Sequence, residues 1–226
     1  MIVALLPAYN EEDRISEVVH QVYRHVEKVL VCDDGSTDHT YSLSVQAGAE
    51  VIRHKQNMGY GASLRSLFLK ANTIPADMFV TVDSDGQHDT NFIPSLTAPI
   101  VRREADIVIG SRFLSQRLDF TPPHRKIAIK LITRLCDITN MYGFTDLQSG
   151  FRAYTMRALE ITCPVRTGMG ASIEIIRRAT RSKLKIREVP VPIYYNGENP
   201  SFVNSTLQFL DVLRSTLASG LPNELG

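Results

Sequence analysis

Five short runs rich in Val, Ile and Leu (Ile2–Leu6, Val29–Cys32, Glu50–Arg53, Met78–Val82 and Asp106–Ile109) alternate with amphipathic stretches such as Ile15–Val26 and Ala62–Ala71. This rhythm limits the chain more than any other feature. Strands that are apolar throughout must be covered on both faces, and strands joined by helical segments run parallel. The spacing therefore predicts an α/β fold with a mostly parallel central sheet and helices on both faces. Polar clusters follow three of the strands directly: Ala8-Tyr9-Asn10-Glu11, Asp33-Asp34-Gly35-Ser36 and Asp83-Ser84-Asp85-Gly86-Gln87. In an open α/β sheet the carboxyl ends of the strands form the binding crevice, which is where chemistry is expected.

Composition narrows the classes that remain. With 226 residues, 43% hydrophobic and 22% charged, the chain can bury a sizeable core, and disorder and low-complexity classes are excluded. Lys+Arg 25 against Asp+Glu 24 leaves a net charge of +1, so no bulk attraction draws the chain to nucleic acid, and no nucleic-acid partner is expected. Cys32, Cys136 and Cys163 are odd in number and far apart, which fits neither a disulfide framework nor a zinc site and suits a reducing compartment. Met1–Pro7 lacks a basic leader and reads as a buried strand, and no apolar run reaches the 18 residues of a bilayer span.

The second half has a different texture. Arg125–Tyr142 is a basic amphipathic helix that suits either an anionic membrane surface or packing on the sheet. Gln148–Tyr154 reads as a polar turn entering a strand, Ser172–Arg181 as a charged helix, and Lys185–Tyr195 as a strand pair interrupted by Pro190 and Pro192. The final helical pattern, Phe202–Leu217, is too short and too polar to span a bilayer. It would dock on the core, a membrane, a second copy of the chain or a small membrane subunit. The expected organisation is one domain over 1–226 with a C-terminal amphipathic appendage at about 202–218.

Asp83 and Asp85 lie two apart, so an extended backbone puts both carboxylates on one side. Paired hard oxygen ligands suit Mg²⁺ or Mn²⁺ shared with phosphate oxygens, although a lone Asp-x-Asp is equally at home in a solvated turn. His88 follows closely enough to orient them, while the other histidines show no ligand spacing. Asp33 and Asp34 suit the ribose hydroxyls and base edge of a nucleotide, and Ser36 or Thr37 would cap the next helix. Asn57-Met58-Gly59-Tyr60-Gly61 precedes a helix, where free amides favour an anion. The spacings of a dinucleotide fingerprint, a phosphate loop, a nucleophile elbow and a zinc-protease helix are all absent.

Six motifs then make a resemblance specific: Pro7–Glu11, Asp33–Thr40, Asn57–Gly59, Asp83–His88, Gly110-Ser111-Arg112 and Gln148–Arg152. In this order they resemble the family 2 glycosyltransferases, most of all the polyprenyl-phosphate branch that includes dolichyl-phosphate mannose synthase, over roughly residues 1–195. The resemblance implies the GT-A fold, a GDP- or UDP-hexose donor, a polyprenyl phosphate acceptor, inversion at the anomeric carbon, and action at the cytoplasmic face of the membrane by a peripheral protein. It implies Asp83, Asp85 and Gln87 as holders of Mg²⁺ or Mn²⁺, and Pro7, Ala8, Tyr9, Glu11, Asp33, Asp34, Asn57, Gly59 and Ser84 around the nucleotide. Asp85, Arg112 and Arg152 are implied in catalysis, and Arg112 and Arg125 on the acceptor phosphate. Glu174 matches a further acidic position.

The chain departs from that pattern after Glu188-Val189-Pro190-Val191-Pro192, where Tyr194–Ser201 carries no basic residue and relatives carry an arginine and a lysine loop. A soluble or polysaccharide acceptor is therefore kept open. A sugar-phosphate nucleotidyltransferase would need a basic, glycine-rich loop near its N-terminus, which Pro7–Asp13 lacks. A binding module without turnover would use the same acidic pairs.

Overall fold

The structure is a computed structural model that describes residues 1–114 and 143–192. The predicted strands appear as β1 (Ile2–Ala8), β2 (Lys28–Asp33), β3 (Glu50–Arg53), β4 (Met78–Thr81) and β5 (Ile107–Ser111), and β6 (Arg152–Thr155) and β7 (Ile186–Pro190) join them in one sheet. The strand order is β3-β2-β1-β4-β6-β5-β7. All observed pairings are parallel except those of β6, which runs against both β4 and β5. Order reverses on either side of β1, so the loops after β1, β2 and β4 open onto one crevice.

Alternation along the strands sorts the core into two layers. Val3, Leu5, Leu30 and Cys32 face one side with α3 (Tyr60–Ala71), α5 (Met156–Thr162) and α6 (Ala171–Arg181). Ala4, Leu6, Val29 and Val31 face the other with α1 (Ile15–Val22) and α4 (Ile93–Val101), while α2 (Thr40–Gln46) packs at its margin through Leu43 and Ala47. Each wholly buried side chain of this size contributes on the order of 1.5–3 kcal/mol. Phe68 of α3 and Tyr154 of β6 meet edge to face at 5.4 Å, locking helix to sheet above the antiparallel strand.

Several expectations need correction. The first helix stops at Val22, four residues early, because Tyr23 to His25 close it in turns. Lys185–Tyr195 contributes one strand, parallel to β5, among the described residues rather than a pair. Neither Ser36 nor Thr37 caps α2, which starts at Thr40. Asp38 Oδ1 instead accepts from the Thr40 amide and hydroxyl. The helix α4 holds Pro94 in its first turn and Pro99 inside, residues that mask a helical pattern. The basic helix with Arg125 and Cys136, the loop at 194–201 and the appendage at 202–218 lie outside the described residues.

Candidate active site

The crevice is built by strand ends that bond to one another. Ala8 pairs with Asp33 across β1 and β2, the Asp34 amide donates to the Ala8 carbonyl, and the Val82 amide donates to the Leu5 carbonyl. Beyond the strands, the 9–12 loop is stapled to the 34–40 loop. The Asn10 amide donates to Ser36 Oγ, the Thr37 amide to Asn10 Oδ1, and the Glu11 amide to Thr40 Oγ1. Asn10 adopts φ 54°, a strained conformation that asparagine tolerates and that these bonds hold. Tyr9 stands exposed at the rim, while Pro7 and Ala8 are buried in the floor.

Asp83 and Asp85 sit together, although not as an extended pair. Strand β4 ends at Thr81, and Gly86 at φ 72° with the Gln87 amide on Asp85 Oδ1 (3.0 Å) folds the segment into a turn. Burial raises the pKa of both carboxyls, and for Asp85 the Asp83 charge adds to it. The Tyr60 hydroxyl donates to Asp83 Oδ1 at 3.3 Å. Behind Asp83, Gly150 leaves a cradle that an added Cβ would fill, lying 2.5 Å from Oδ1 and 2.7 Å from Cγ.

His88 supports this group from beneath. The Asp83 amide donates to its Nδ1 (3.2 Å), so the neutral ring carries its proton on Nε2, 3.7 Å from Asp83 Oδ2. Burial pushes the His88 pKa down to about 4, and the ring stacks on Phe151 at 4.9 Å. The Ser84 hydroxyl donates to the Pro7 carbonyl (2.8 Å), so this side chain ties β4 to β1 rather than facing a ligand.

The other acidic pair is built into the fold. Asp33 is wholly buried; its Oδ1 accepts from the Ser36 amide, and its Oδ2 lies 3.0 Å from Arg53 Nε, whose guanidinium covers the Tyr41 ring. Asp34 accepts from the Met58 amide (3.0 Å), the Gly59 amide (2.7 Å) and His54 Nδ1 (2.6 Å). The amides expected to be free at the start of α3 are therefore engaged, those of Gly61 and Ala62 by the Thr167 carbonyl at 2.7 and 3.2 Å. That removes the anion site expected there. Asn57 is exposed and its backbone crosses over Gly35, where no Cβ would fit.

The arginines differ from one another. Arg112, just past β5, is forked onto the wholly buried Asp146, Nε to Oδ2 at 2.6 Å and Nη2 to Oδ1 at 2.7 Å. Glu188 of β7 fixes that corner by accepting from the Thr145 and Asp146 amides, and burial raises its pKa. Arg152, expected in catalysis, is 2% exposed and donates to the Leu147 and Ser172 carbonyls. Its charge and that of Arg112 act on Asp83 from within the protein. Glu174 accepts from the Val165 and Arg166 amides and pairs with Arg178, holding the loop before α6. Sequence reading gave no role to His54 and Asp146, and quoted Tyr60 and Glu188 within motifs without their contacts, because the partners of all four are distant in sequence.

Among the described residues no three His, Cys, Asp or Glu side chains converge on one metal position. Two adjacent carboxylates with raised pKa, one set in a glycine cradle, nonetheless fit a divalent ion whose other ligands come from phosphate and water.

The model of glycosyl transferase family 2 matches residues 4–162. The chain is 30% identical over 216 residues to the UDP-N-acetylglucosamine–dolichyl-phosphate N-acetylglucosaminyltransferase of Methanococcus voltae, covering 86% of both chains. To the undecaprenyl-phosphate mannosyltransferase of Micrococcus luteus it is 29% identical, covering 84% of this chain and 82% of the other. Among solved structures it resembles glucosyl-3-phosphoglycerate synthase of Mycobacterium tuberculosis with Mn²⁺, UDP and glucosyl-3-phosphoglycerate. The TM-score is 0.78 at 22% identity, over 99% of this chain and 81% of that one, a likeness of fold.

Proposed function

The chain belongs to glycosyl transferase family 2 and is a glycosyltransferase of GT-A fold, and from that premise we propose a substrate class and a site. It moves a hexose from a GDP- or UDP-linked donor to a polyprenyl phosphate, with inversion, using Mg²⁺ or Mn²⁺ held by Asp83, Asp85 and Gln87. The observation that carries this reading is the Asp83–Asp85 turn at the end of β4, where two neighbouring carboxyls are buried and their pKa values raised by that burial, so that their charged forms call for a cation. A divalent ion there supplies charge against the diphosphate that becomes more negative as the sugar leaves.

The chain's own residues do the rest. Pro7 and Ala8 floor the nucleotide pocket, Tyr9 and Glu11 rim it, and Asp33 presents its carboxyl from beneath beside Arg53. Asp34 contributes through the Asn57–Gly59 loop that it holds, and Ser84 by fixing the floor. Arg112, held rigid by Asp146, places a positive charge at the end of β5 for the acceptor phosphate, with Arg125 as its partner. A phosphate acceptor arrives anionic, so orientation and charge matching serve where a strong base is otherwise needed. The names of the relatives, which act on dolichyl and undecaprenyl phosphate, support the acceptor class. No helix among the described residues is long and apolar enough to cross a membrane, which accords with peripheral action at its cytoplasmic face, alone, as a homodimer or with a membrane subunit.

The test is calorimetric titration with UDP and GDP, with and without Mn²⁺, on wild type and Asp85→Ala. One nucleotide is expected to bind tightly only with Mn²⁺, and the variant to lose that binding and turnover by at least about a hundredfold. Labelled sugar is then expected to enter an organic-soluble product of opposite anomeric configuration only when polyprenyl phosphate is present. Transfer to a soluble acceptor instead would replace the lipid assignment, and full activity of Asp85→Ala would remove the metal assignment.

A further inference from the structure

We infer that His54 is a positioning residue for the donor site. It holds the Asp34 carboxylate, which in turn fixes the backbone of Met58 and Gly59, the loop flanking the nucleotide pocket. The inference rests on the donor-site reading above and adds to it a residue in which no motif lies.

His54 follows β3 directly, and its amide continues the sheet by donating to the Asp33 carbonyl at 2.9 Å. Its ring is largely buried between β2 and α3. Nδ1 lies 2.6 Å from Asp34 Oδ1, Nε2 lies 2.8 Å from Ser66 Oγ, and Cys32 Sγ is 3.6 Å from Nε2. A carboxylate only accepts, so the neutral ring carries its proton on Nδ1 and takes the Ser66 hydroxyl proton at Nε2. This tautomer satisfies the Asp34 and Ser66 contacts together. Ser66, at the end of the second turn of α3, thereby sets the ring, the ring sets Asp34, and Asp34 receives the Met58 and Gly59 amides.

The loop is pinned from the opposite side as well. Gly59, at φ 98°, passes so close to the Thr167 carbonyl that any Cβ would lie 2.5 Å from its oxygen, and the Gly61 and Ala62 amides donate to that same carbonyl. With Thr167 as one anchor and Asp34 as the other, the backbone between them has one position. Removing the His54 bond leaves Asp34 with the Met58 amide on Oδ1 and the Gly59 amide on Oδ2, so the carboxylate is then held by the same loop that it positions. The side of the loop that faces outward carries Asn57 and Met58, both exposed. The effect should therefore fall on nucleotide affinity rather than on the chemical step.

The experiment compares His54→Ala, His54→Asn and His54→Gln with Asp85→Ala and wild type. UDP and GDP are titrated with Mn²⁺, kcat and KM for the donor are measured, and each variant is melted. The asparagine amide nitrogen falls near Nδ1 and keeps a donor for Asp34, whereas the glutamine amide reaches toward the Ser66 side. Losing a hydrogen bond to a charged group predicts nucleotide binding about tenfold weaker in His54→Ala, with KM rising in step and kcat falling less than about threefold. His54→Asn should recover most of the affinity and His54→Gln little of it. A downfield imidazole proton resonance from Nδ1–H should be present in wild type and absent in all three His54 variants. Equal losses in the Asn and Gln variants, or a loss of kcat with unchanged KM, overturn the inference. If His54→Ala binds like wild type while Asp85→Ala does not bind, the inference falls and the donor-site reading stands. If wild type binds neither nucleotide, both fall together.

Discussion

Gly150→Ala tests the placement of Asp83 without touching its chemistry. The new methyl would lie 2.5 Å from Asp83 Oδ1 and 2.7 Å from Cγ, so the carboxyl must retreat by about 1 Å to reach ordinary van der Waals contact. Retreat is costly in one direction, because the Tyr60 hydroxyl and the His88 ring stand beside it. Crowding of this kind destabilises a core by about 1–3 kcal/mol. A misplacement near 1 Å at a reacting centre lowers turnover on the order of a hundredfold, equivalent to about 2.7 kcal/mol of barrier. The assay is kcat/KM over a Mn²⁺ series, with calorimetric nucleotide binding and melting of the same samples. Gly110→Ala is the control: its methyl meets Val191 Cγ2 at 2.9 Å and the Phe151 carbonyl at 3.1 Å, a milder crowding of the same core away from the carboxylates. Gly150→Ala should lose Mn²⁺-dependent binding and turnover far beyond the control at similar stability. Turnover within about threefold of wild type, or equal losses in both variants, would refute the claim that the position of Asp83 governs the site.

Two further outcomes follow from buried charges. His88 is held neutral with its pKa near 4, below the ordinary value of 6.5, so the unfolded chain takes up a proton first as pH falls. Its contribution is intact above pH 6.5 and is lost progressively down to about pH 4, a fall on the order of 3 kcal/mol in denaturation experiments that His88→Phe should flatten. Asp146→Asn removes the buried carboxylate forked with Arg112 and should destabilise by about 3 kcal/mol, read by denaturant titration. Because Arg112 also loses its orientation, the KM for the phosphate acceptor should rise more than that for the donor.

The sheet was legible because strand and helix periods do not resemble each other. Ile2–Leu6 and Val29–Cys32 are apolar on every residue, and a chain that buries both strand faces can only place them inside a covered parallel sheet. The antiparallel β6 had no comparable signal, since a four-residue strand gives no direction of its own. Helix α4 was hidden by Pro94 and Pro99. At the site, Asp83 and Asp85 could be named from spacing, but the reason they meet is a turn closed by the Gln87 amide, not strand alternation. The roles of Arg112 and Arg152 were implied by the resemblance, whereas packing shows their partners: Arg112 is forked on Asp146 at the end of β5, and Arg152 bonds two carbonyls inside the protein. Sequence gives the identity of a charge, and only packing gives its partner.

The four strand-end aspartates divide accordingly. Asp33 accepts from the Ser36 amide and is ion-paired with Arg53, and Asp34 accepts from two amides and His54, so both carboxylates are engaged by the protein and hold its loops in place. Asp83 and Asp85 receive one hydroxyl and one amide, keep raised pKa values, and remain the groups with most to gain from an external cation. Since no third acidic or histidine ligand joins them among the described residues, the protein supplies only part of a coordination shell. On the proposed reading, a divalent ion would complete its shell with the donor diphosphate, and the diphosphate would lose its charge repulsion from the two aspartates only with the ion. Each ligand must then raise the affinity of the other by the same factor, as linkage requires. On that reading the two aspartates give a reason for metal and nucleotide to arrive as one unit, and the loops held by Asp33 and Asp34 would give that unit a fixed place to bind.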